Sequence, residues 1–310
     1  MNVRLTQLDG ALPNLALMKL AHWHREQGDK VFVTRQIEPD LFEPMYDRVY
    51  GSAIFKFSQM RLMRFQQQWP DAIVGGTGTP FTKTVEDVIG ANYEHYDYTG
   101  QDVDYSIGYT QRGCRLRCKF CVVPTKEGKP KSVNTIADIW RGEPWPKKLH
   151  ILDNDFFGNP EWRDRIHEIS DGKFRVCFSQ GINTRLINDE AAAALASVKY
   201  SDTKFQRRRL YTAWDNLKDE QVFFRGVDTL ERAGVPPSNL MAYMLIGYDK
   251  AETWDRLWHR FNRMVERGIK PYPMVYDDRR KDLKAFQRWV IMGLYRIVPW
   301  SEYTGRIDAA

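Results

Sequence analysis

Three of the four cysteines, Cys114, Cys118 and Cys121, lie within eight residues of one another, and Cys177 stands apart. Because four cysteines are too few for a disulfide scaffold, such a cluster indicates a metal centre or catalysis. A structural zinc site needs four protein ligands. Zinc is therefore the alternative to an iron–sulfur cluster, and it would require Cys177 as the fourth ligand. On a [4Fe–4S] cluster, three thiolates leave one iron open for chemistry, whereas an electron-transfer ferredoxin fills every position with cysteine.

The elements that must position this loop are predicted from short apolar runs separated by stretches with helical spacing. In the second half of the chain, the predicted strands are residues 104–109, 150–153, 174–178, 210–213, 240–246 and 272–276. The predicted helices include residues 189–198, 220–233 and 252–267, and a last one from Asp282. This alternation predicts an open, partial (β/α)6 barrel. The cysteine loop follows its first strand, and chemistry in such folds collects at the carboxyl ends of the strands.

Residues 1–100 also alternate between strands and helices, with strands predicted at 3–8, 31–33, 53–57 and 72–74. Asn14 is the predicted N-cap of the first helix, which ends at Gly28. The pattern predicts an α/β domain with a doubly wound, flavodoxin-like parallel sheet. A polar, Tyr-rich stretch at 92–101 marks the boundary, so the predicted domains are 1–100 and 101–310.

The pattern Cys-x3-Cys-x2-Cys with Phe120 before its last cysteine, on the loop after the first barrel strand, resembles the radical S-adenosylmethionine superfamily. The resemblance implies that the open iron chelates the amino and carboxylate groups of S-adenosylmethionine. It also implies reductive cleavage to methionine and a 5′-deoxyadenosyl radical that takes a hydrogen atom from the substrate. The electron would come from an external reductant of the flavodoxin or ferredoxin type.

The same resemblance implies that S-adenosylmethionine contacts lie on the loop and at successive strand ends: Phe120, Asp153, Asn154, Asp155, Ser179, Gln180, Arg185, Asp215, Ile246, Gly247 and Met274. The acidic stretch 153–155 would receive the amino group, with a helix-capping turn as its alternative reading. Arg185 suits the carboxylate because a guanidinium is a rigid bidentate donor. Asp215 suits the ribose, and Ile246, Gly247 and Met274 suit the adenine.

The N-terminal sheet resembles the cobalamin-binding domain that precedes many of these barrels and, more loosely, the N-terminal domain of tRNA methylthiotransferases. Cobalamin is therefore a candidate cofactor. The loop at 9–14 lacks the usual histidine ligand, however, and residues 1–100 lack the cysteines of a second cluster. The glycine turn at 75–78 is weak evidence for a phosphate site. We expect His22 and His24, two positions apart on a helix, to be surface or packing residues.

Positive charge is concentrated in the second half, since the net charge is +6 overall and −2 on residues 1–100, which leaves +8 on residues 101–310. Part of it is expected to balance a thiolate-bound cluster: Arg112, Arg115, Arg117 and Lys119. The remainder indicates either a solvated basic face or an anionic substrate such as a nucleotide or nucleic acid: Lys126, Lys129, Lys131, Lys147, Lys148 and Arg207–Arg209. Trp140 and Trp145 would then stack on an unpaired base.

The composition limits the class of protein. Apolar residues make up 43% of the chain, which excludes intrinsic disorder. No apolar run reaches the length of a membrane-spanning helix, and the first residues lack the apolar stretch of a signal peptide, so we expect a cytoplasmic protein with no membrane partner. Two hypotheses follow: a radical enzyme, with methyl transfer or nucleotide or RNA modification as subclasses, and a non-catalytic iron–sulfur redox or regulatory protein.

Overall fold

The computed structural model describes residues 1–80 and 83–305. These residues form two compact units, Met1–Val103 and a second that begins at Asp104. The strands of the first unit are β1 Asn2–Gln7, β2 Lys30–Thr34, β3 Arg48–Ser52 and β4 Ile73–Gly75. Its helices are α1 Leu15–Glu26, α2 Gln59–Gln68 and α3 Val85–Ile89. Within the described part of the chain, no helix is long and apolar enough to cross a membrane.

The sheet of the first unit is entirely parallel, in the order β2-β1-β3-β4. Leu17 and Leu20 of α1 pack on one face, and Leu62 and Phe65 of α2 pack on the other. A parallel sheet with helices on both faces confirms the α/β class and is compatible with the predicted doubly wound fold.

Local predictions for this unit are partly confirmed. Asn14 caps α1 by accepting a hydrogen bond from the Leu17 amide (3.3 Å). His24 is a buried packing residue between Asp29 and Tyr50, as expected. The strand predicted at 53–57 is wrong, because β3 ends at Ser52 and residues 53–55 form a loop before a 3-10 helix at Lys56–Ser58.

The second unit contains β5 Ser106–Gly108, β6 Gln111–Arg112, β7 Lys131–Ser132, β8 Lys148–Ile151, β9 Arg175–Phe178, β10 Lys199–Tyr200, β11 Leu210–Ala213, β12 Leu240–Ile246 and β13 Lys270–Val275. One parallel sheet has the order β10-β9-β8-β5, and another has the order β11-β12-β13. Beyond β9, the Ile182 amide donates to the Tyr211 carbonyl of β11 (2.7 Å), so the two sheets meet there.

The helices of this unit are α4 Val123–Lys126, α5 Ile136–Ile139, α6 Trp162–Asp171, α7 Asp189–Ser197, α8 Glu220–Arg232, α9 Trp254–Glu266 and α10 Lys281–Ile291. Alternate strand residues such as Leu149, Val176 and Ala242 pack against these helices in one apolar core. Residues of the opposite parity, such as His150 and Tyr243, project from the other side of the sheets, which we call the helix-free face.

Candidate metal and cofactor site

The three cysteines lie on a loop whose arms are joined at its base by the antiparallel pair β6 and β7. Glu127 ties the loop together, since its carboxylate accepts hydrogen bonds from the Arg112 guanidinium (3.0 Å) and the Gly113 amide (2.9 Å). Asn154, which follows β8, donates to the same carboxylate (3.2 Å). The loop is therefore fixed to the carboxyl end of β8.

Asp153 and Asp155 are bound to this loop. The buried Asp153 carboxylate accepts from the amides of Thr110 (2.8 Å) and Gln111 (3.1 Å) and from the Thr110 hydroxyl. Burial raises its pKa to about 7, against the lowering effect of these donors. Asp155 holds the Arg115 guanidinium at 2.7 and 2.8 Å and the Arg115 amide at 3.0 Å.

The expected role of 153–155 as amino-group acceptors stays a prediction, and the structure shows that both aspartates also hold the loop, because their oxygens bind Thr110, Gln111 and Arg115. Asn154 differs, since only its amide nitrogen is used and its carbonyl oxygen can accept another donor. Four cationic residues were expected to balance the charge of a cluster. Two of them, Arg112 and Arg115, pair with the carboxylates of Glu127 and Asp155. Arg117 and Lys119 are exposed.

The sulfur atoms lie in a polar, half-buried setting. Amides donate to two of them at 3.4 Å: the Leu116 amide to Cys114 Sγ and the Val123 amide to Cys121 Sγ. Burial raises the pKa of Cys114 to about 11 and also raises that of Cys121, and the neighbouring cysteines add to both shifts. The raised pKa values favour the neutral thiols, whereas a bound metal would favour the thiolates and lower these pKa values.

The cysteine loop, which follows β5, reaches residues at the carboxyl ends of distant strands. Arg185, beyond β9, places Nη2 3.9 Å from Cys118 Sγ and donates to Asp219 (3.0 Å). The Phe120 ring meets the Tyr248 ring, beyond β12, with centroids 5.5 Å apart. Asp215, beyond β11, is close enough to Cys121 to raise the pKa of that thiol. The structure thus brings Phe120, Arg185 and Asp215 to the cysteines.

The apolar contacts expected from Ile246 are corrected by the register of β12. The Ile246 side chain is fully buried in the core against the helices. Leu245 has the opposite parity and lies beside Met274 of β13 on the helix-free face. Met274 is 46% exposed, and Gly247 adopts a positive φ of 78° at the end of the strand. Leu245 and Met274 are thus the apolar side chains that reach this edge.

Arg260 of α9 is a positioning residue that sequence reasoning missed. Its buried guanidinium donates to the carbonyls of Trp214 (3.0 Å), Asp215 (3.2 Å) and Leu245 (3.0 Å), and to Glu252. It therefore joins the ends of β11 and β12. The signal was present in the sequence, since Arg260 lies at a core-facing position between Leu257 and Met264 of an amphipathic helix.

Asp215 keeps one carboxylate oxygen for a ligand. Its Oδ1 accepts from the Leu245 amide (2.9 Å), and burial raises its pKa. Gln180, beyond β9, is exposed, whereas Ser179 is buried and already engaged. The Ser179 hydroxyl is 2.6 Å from His150 Nε2, and its carbonyl accepts from the Tyr243 hydroxyl (2.7 Å).

His150 is a second residue that sequence reasoning missed, although a histidine within the apolar strand Lys-Leu-His-Ile is a visible signal. It is fully buried, and its Nδ1 atom has no hydrogen-bond partner among the described residues. Burial lowers its pKa to about 4, so it is neutral near pH 7. Cys177 lies on the same face, packed with Phe205 and Tyr211, so the structure groups it with side chains outside the cysteine loop.

Three cysteines on one loop are the donor set that a [4Fe–4S] cluster would use, and the cluster itself stays a prediction. Among residues 1–80 and 83–305, no three His, Cys, Asp or Glu side chains could hold one metal ion. In a [4Fe–4S] cluster each cysteine binds a different iron, so its three sulfurs need not converge on one point. Amide donors to the sulfurs, as at Cys114 and Cys121, are a recognised means by which proteins tune such clusters.

The first unit does not fit a corrinoid. In sheets of this order, ligands bind beyond the carboxyl ends of the strands between β1 and β3. Here Asp9 fills that position, because its carboxylate accepts from the amides of Ile54 (2.8 Å) and Phe55 (2.9 Å). The glycine turn packs on the same loop, where a Cβ at Gly78 would lie 2.5 Å from the Phe55 carbonyl oxygen.

Comparisons of the chain with protein-family models, with curated proteins and with solved structures found no match.

Proposed function

We propose that this chain is a radical S-adenosylmethionine enzyme with a partial (β/α)6 barrel. Cys114, Cys118 and Cys121 would hold a [4Fe–4S] cluster that receives its electron from an external flavodoxin- or ferredoxin-type reductant. When bound and reduced, the cluster supplies one-electron cleavage of S-adenosylmethionine to a 5′-deoxyadenosyl radical. The observation that carries the proposal is the reach of the cysteine loop, which brings Phe120 to Tyr248 and Cys118 to Arg185.

The chain's own residues would bind and orient the cofactor. The Asn154 carbonyl oxygen accepts from its ammonium group, and Arg185 donates to its carboxylate. Asp215 accepts from ribose hydroxyls with its remaining oxygen. Leu245 and Met274 offer adenine an apolar surface, and Gly247 lies beside them at the strand end, where a Cβ would meet Leu283 at 2.7 Å.

The substrate would lie against the helix-free face. His150, Ser179 and Tyr243 form a continuous hydrogen-bonded set there. A neutral His150 can donate or accept at Nδ1 according to its tautomer. Methyl transfer and nucleotide or RNA modification are the subclasses that we propose for the reaction.

The function is tested by product formation. Anaerobically reconstituted and chemically reduced protein should convert S-adenosylmethionine into 5′-deoxyadenosine and methionine, and the Cys118→Ala variant should form neither above background. A wild-type protein that takes up the cluster and is reduced by one electron, but forms no 5′-deoxyadenosine, would instead be the non-catalytic iron–sulfur module.

Substitution of Arg185 or Asp215 should weaken S-adenosylmethionine binding. We expect Arg185→Met and Asp215→Asn each to lose about 1–3 kcal/mol, the usual range for hydrogen bonds to charged groups, which is roughly 5- to 150-fold in the dissociation constant. Equilibrium binding to the reconstituted protein measures this effect. Iron content should be measured in parallel, because Arg185 also lies beside Cys118. If both variants retain their iron and bind with unchanged affinity, the cofactor lies elsewhere.

A further inference from the structure

Basic side chains gather at the amino ends of the strands of the second unit, opposite the end that carries the cysteine loop. Lys148, Arg175 and Lys199 begin β8, β9 and β10 and stand in direct cross-strand register. Adjacent strands lie about 4.8 Å apart, and residues in register point to the same face. Like charges directly opposite each other destabilise a sheet, so this row is costly unless a ligand compensates it.

The loop between β10 and β11 adds to this row. Its one apolar residue, Phe205, adopts a left-handed φ of 56° and buries its ring with Cys177 and Tyr211. Arg175 donates to the Phe205 carbonyl (2.6 Å), and Asp202 Oδ1 accepts from the Gln206 amide (2.8 Å). A left-handed residue with a side chain costs about 1–2 kcal/mol. The loop is thus ordered with Phe205 turned inward and its cations turned outward.

We define the basic end as Lys148, Arg175, Lys199, Lys204, Arg207, Arg209 and Lys270. Within the described part of the chain, Lys148 forms an ion pair with Asp104, and the other members of this set form none. Burial and the nearby Arg209, Arg296 and Arg207 lower the pKa of Lys270. Asp104 and, in the loop, Asp202 lie beside this set of seven cations, so the basic end keeps an excess of positive charge.

We propose that the basic end binds the phosphodiester backbone of a single-stranded nucleic acid. Long cationic side chains in a row can contact successive phosphates. Arg175 and Arg209 each use Nη1 to donate to backbone carbonyls, and the other nitrogens of a guanidinium can donate to phosphate oxygens. The Trp145 ring, just before β8, is 43% exposed. The Arg141 guanidinium lies over the ring, 3.7 Å from its centroid, so the part of the ring left exposed is the surface on which a base could stack. Trp140, in contrast, is partly buried and packs against Phe174, so its stacking role stays a prediction.

Two other anionic partners fit less well. A lipid surface needs apolar side chains beside the cations, but the loop turns its apolar residue, Phe205, into the protein. An acidic reductant must approach the cysteines, which lie at the carboxyl ends of the strands. The length of β12 alone places the basic end about 20 Å from that end, too far for this role. The proposal does not require the cluster, so its failure would leave the proposed enzyme function untouched.

The test is binding of a fluorescent 20-nucleotide single-stranded RNA or DNA by the full chain across a salt titration. The test variant is Lys199→Gln/Lys204→Gln/Arg207→Gln, because these side chains are exposed and can change without disturbing the fold. The matched control is Lys281→Gln/Lys284→Gln/Arg288→Gln, which removes the same charge from the exposed side of α10. Unfolding midpoints of all three proteins confirm equal folding.

We expect the test variant to bind about tenfold or more weakly near 0.1 M salt, and its log–log salt slope to fall by about 2. The control should keep the wild-type slope. An equal loss in both variants would overturn the proposal, as would wild-type binding weaker than about 10⁻⁴ M. It would likewise be overturned if anionic vesicles, and not the oligonucleotide, bind with this charge dependence. If the test variant misfolds, the single variant Lys204→Gln, expected to lower the slope by about 0.7, decides the question.

Discussion

Anaerobic reconstitution should load the chain with about four irons, the content of one [4Fe–4S] cluster, and replacing Cys114, Cys118 or Cys121 by alanine should abolish this uptake. Each cysteine would supply the only protein ligand to its iron, so a variant with two cysteine ligands would lose the cluster. Iron and sulfide analysis measures the content. Electron paramagnetic resonance of the reduced protein should change when S-adenosylmethionine is added, because the open iron changes its ligands.

Cys177→Ala is the control for this series. Cys177 is fully buried with Phe205 and Tyr211, and burial strongly raises its pKa, so it remains a neutral thiol in the core. The variant should keep the wild-type iron content. A folded Cys177→Ala protein without iron would refute the three-cysteine assignment, because Cys177 would then be a ligand as well.

Asp155→Asn should destabilise the cysteine loop and lower cluster occupancy. The Asp155 carboxylate is 1% exposed and accepts three hydrogen bonds from Arg115. The asparagine amide would present donors to the guanidinium, so the buried pair would be lost. Because Arg115 remains partly exposed, we expect a loss of about 2–3 kcal/mol in unfolding free energy. Denaturant unfolding of the iron-free protein measures it.

Glu190→Gln provides a matched comparison. Arg163 binds Glu190 in the same bidentate geometry, with both distances at 2.6 Å, but both side chains are about half exposed. Surface pairs of this kind contribute only about 0–1 kcal/mol. Iron uptake in Glu190→Gln should be normal. Equal destabilisation by the two substitutions would mean that burial of Asp155 does not anchor the loop.

The strands of the second unit could be predicted because each apolar run is short and bounded by polar or turn-forming residues. The runs at Leu210–Ala213 and Leu240–Ile246 are confirmed without change. The strand predicted at 53–57 was wrong because β3 contains Gly51, which weakens its strand signal. That glycine is required by packing, since a Cβ there would lie 2.4 Å from the Phe65 ring.

The candidate site was less predictable than the strands. Ile246 and Leu245 are both apolar and adjacent at the end of β12. Which of them faces the helix-free side depends on which side of the sheet the helices cover, and the sequence does not show this. Asp153 is captured by Thr110 and Gln111, more than 40 positions earlier in the chain. Hydrogen bonds of such range leave no local pattern, so a carboxylate expected to face a ligand cannot be distinguished from one that holds a loop.

Asp9 gives the first unit a resident competitor for its own binding edge. Asp9 is 45 positions from Ile54 along the chain, but the pairing of β1 with β3 holds its carboxylate beside the Ile54 and Phe55 amides, so its effective concentration there is on the order of millimolar or higher. A free phosphate at a lower concentration than this would compete poorly with the Asp9 carboxylate for the same two amides. The Asp9 carboxylate thus occupies the two backbone amides at this edge, and the sheet carries its own intramolecular ligand there.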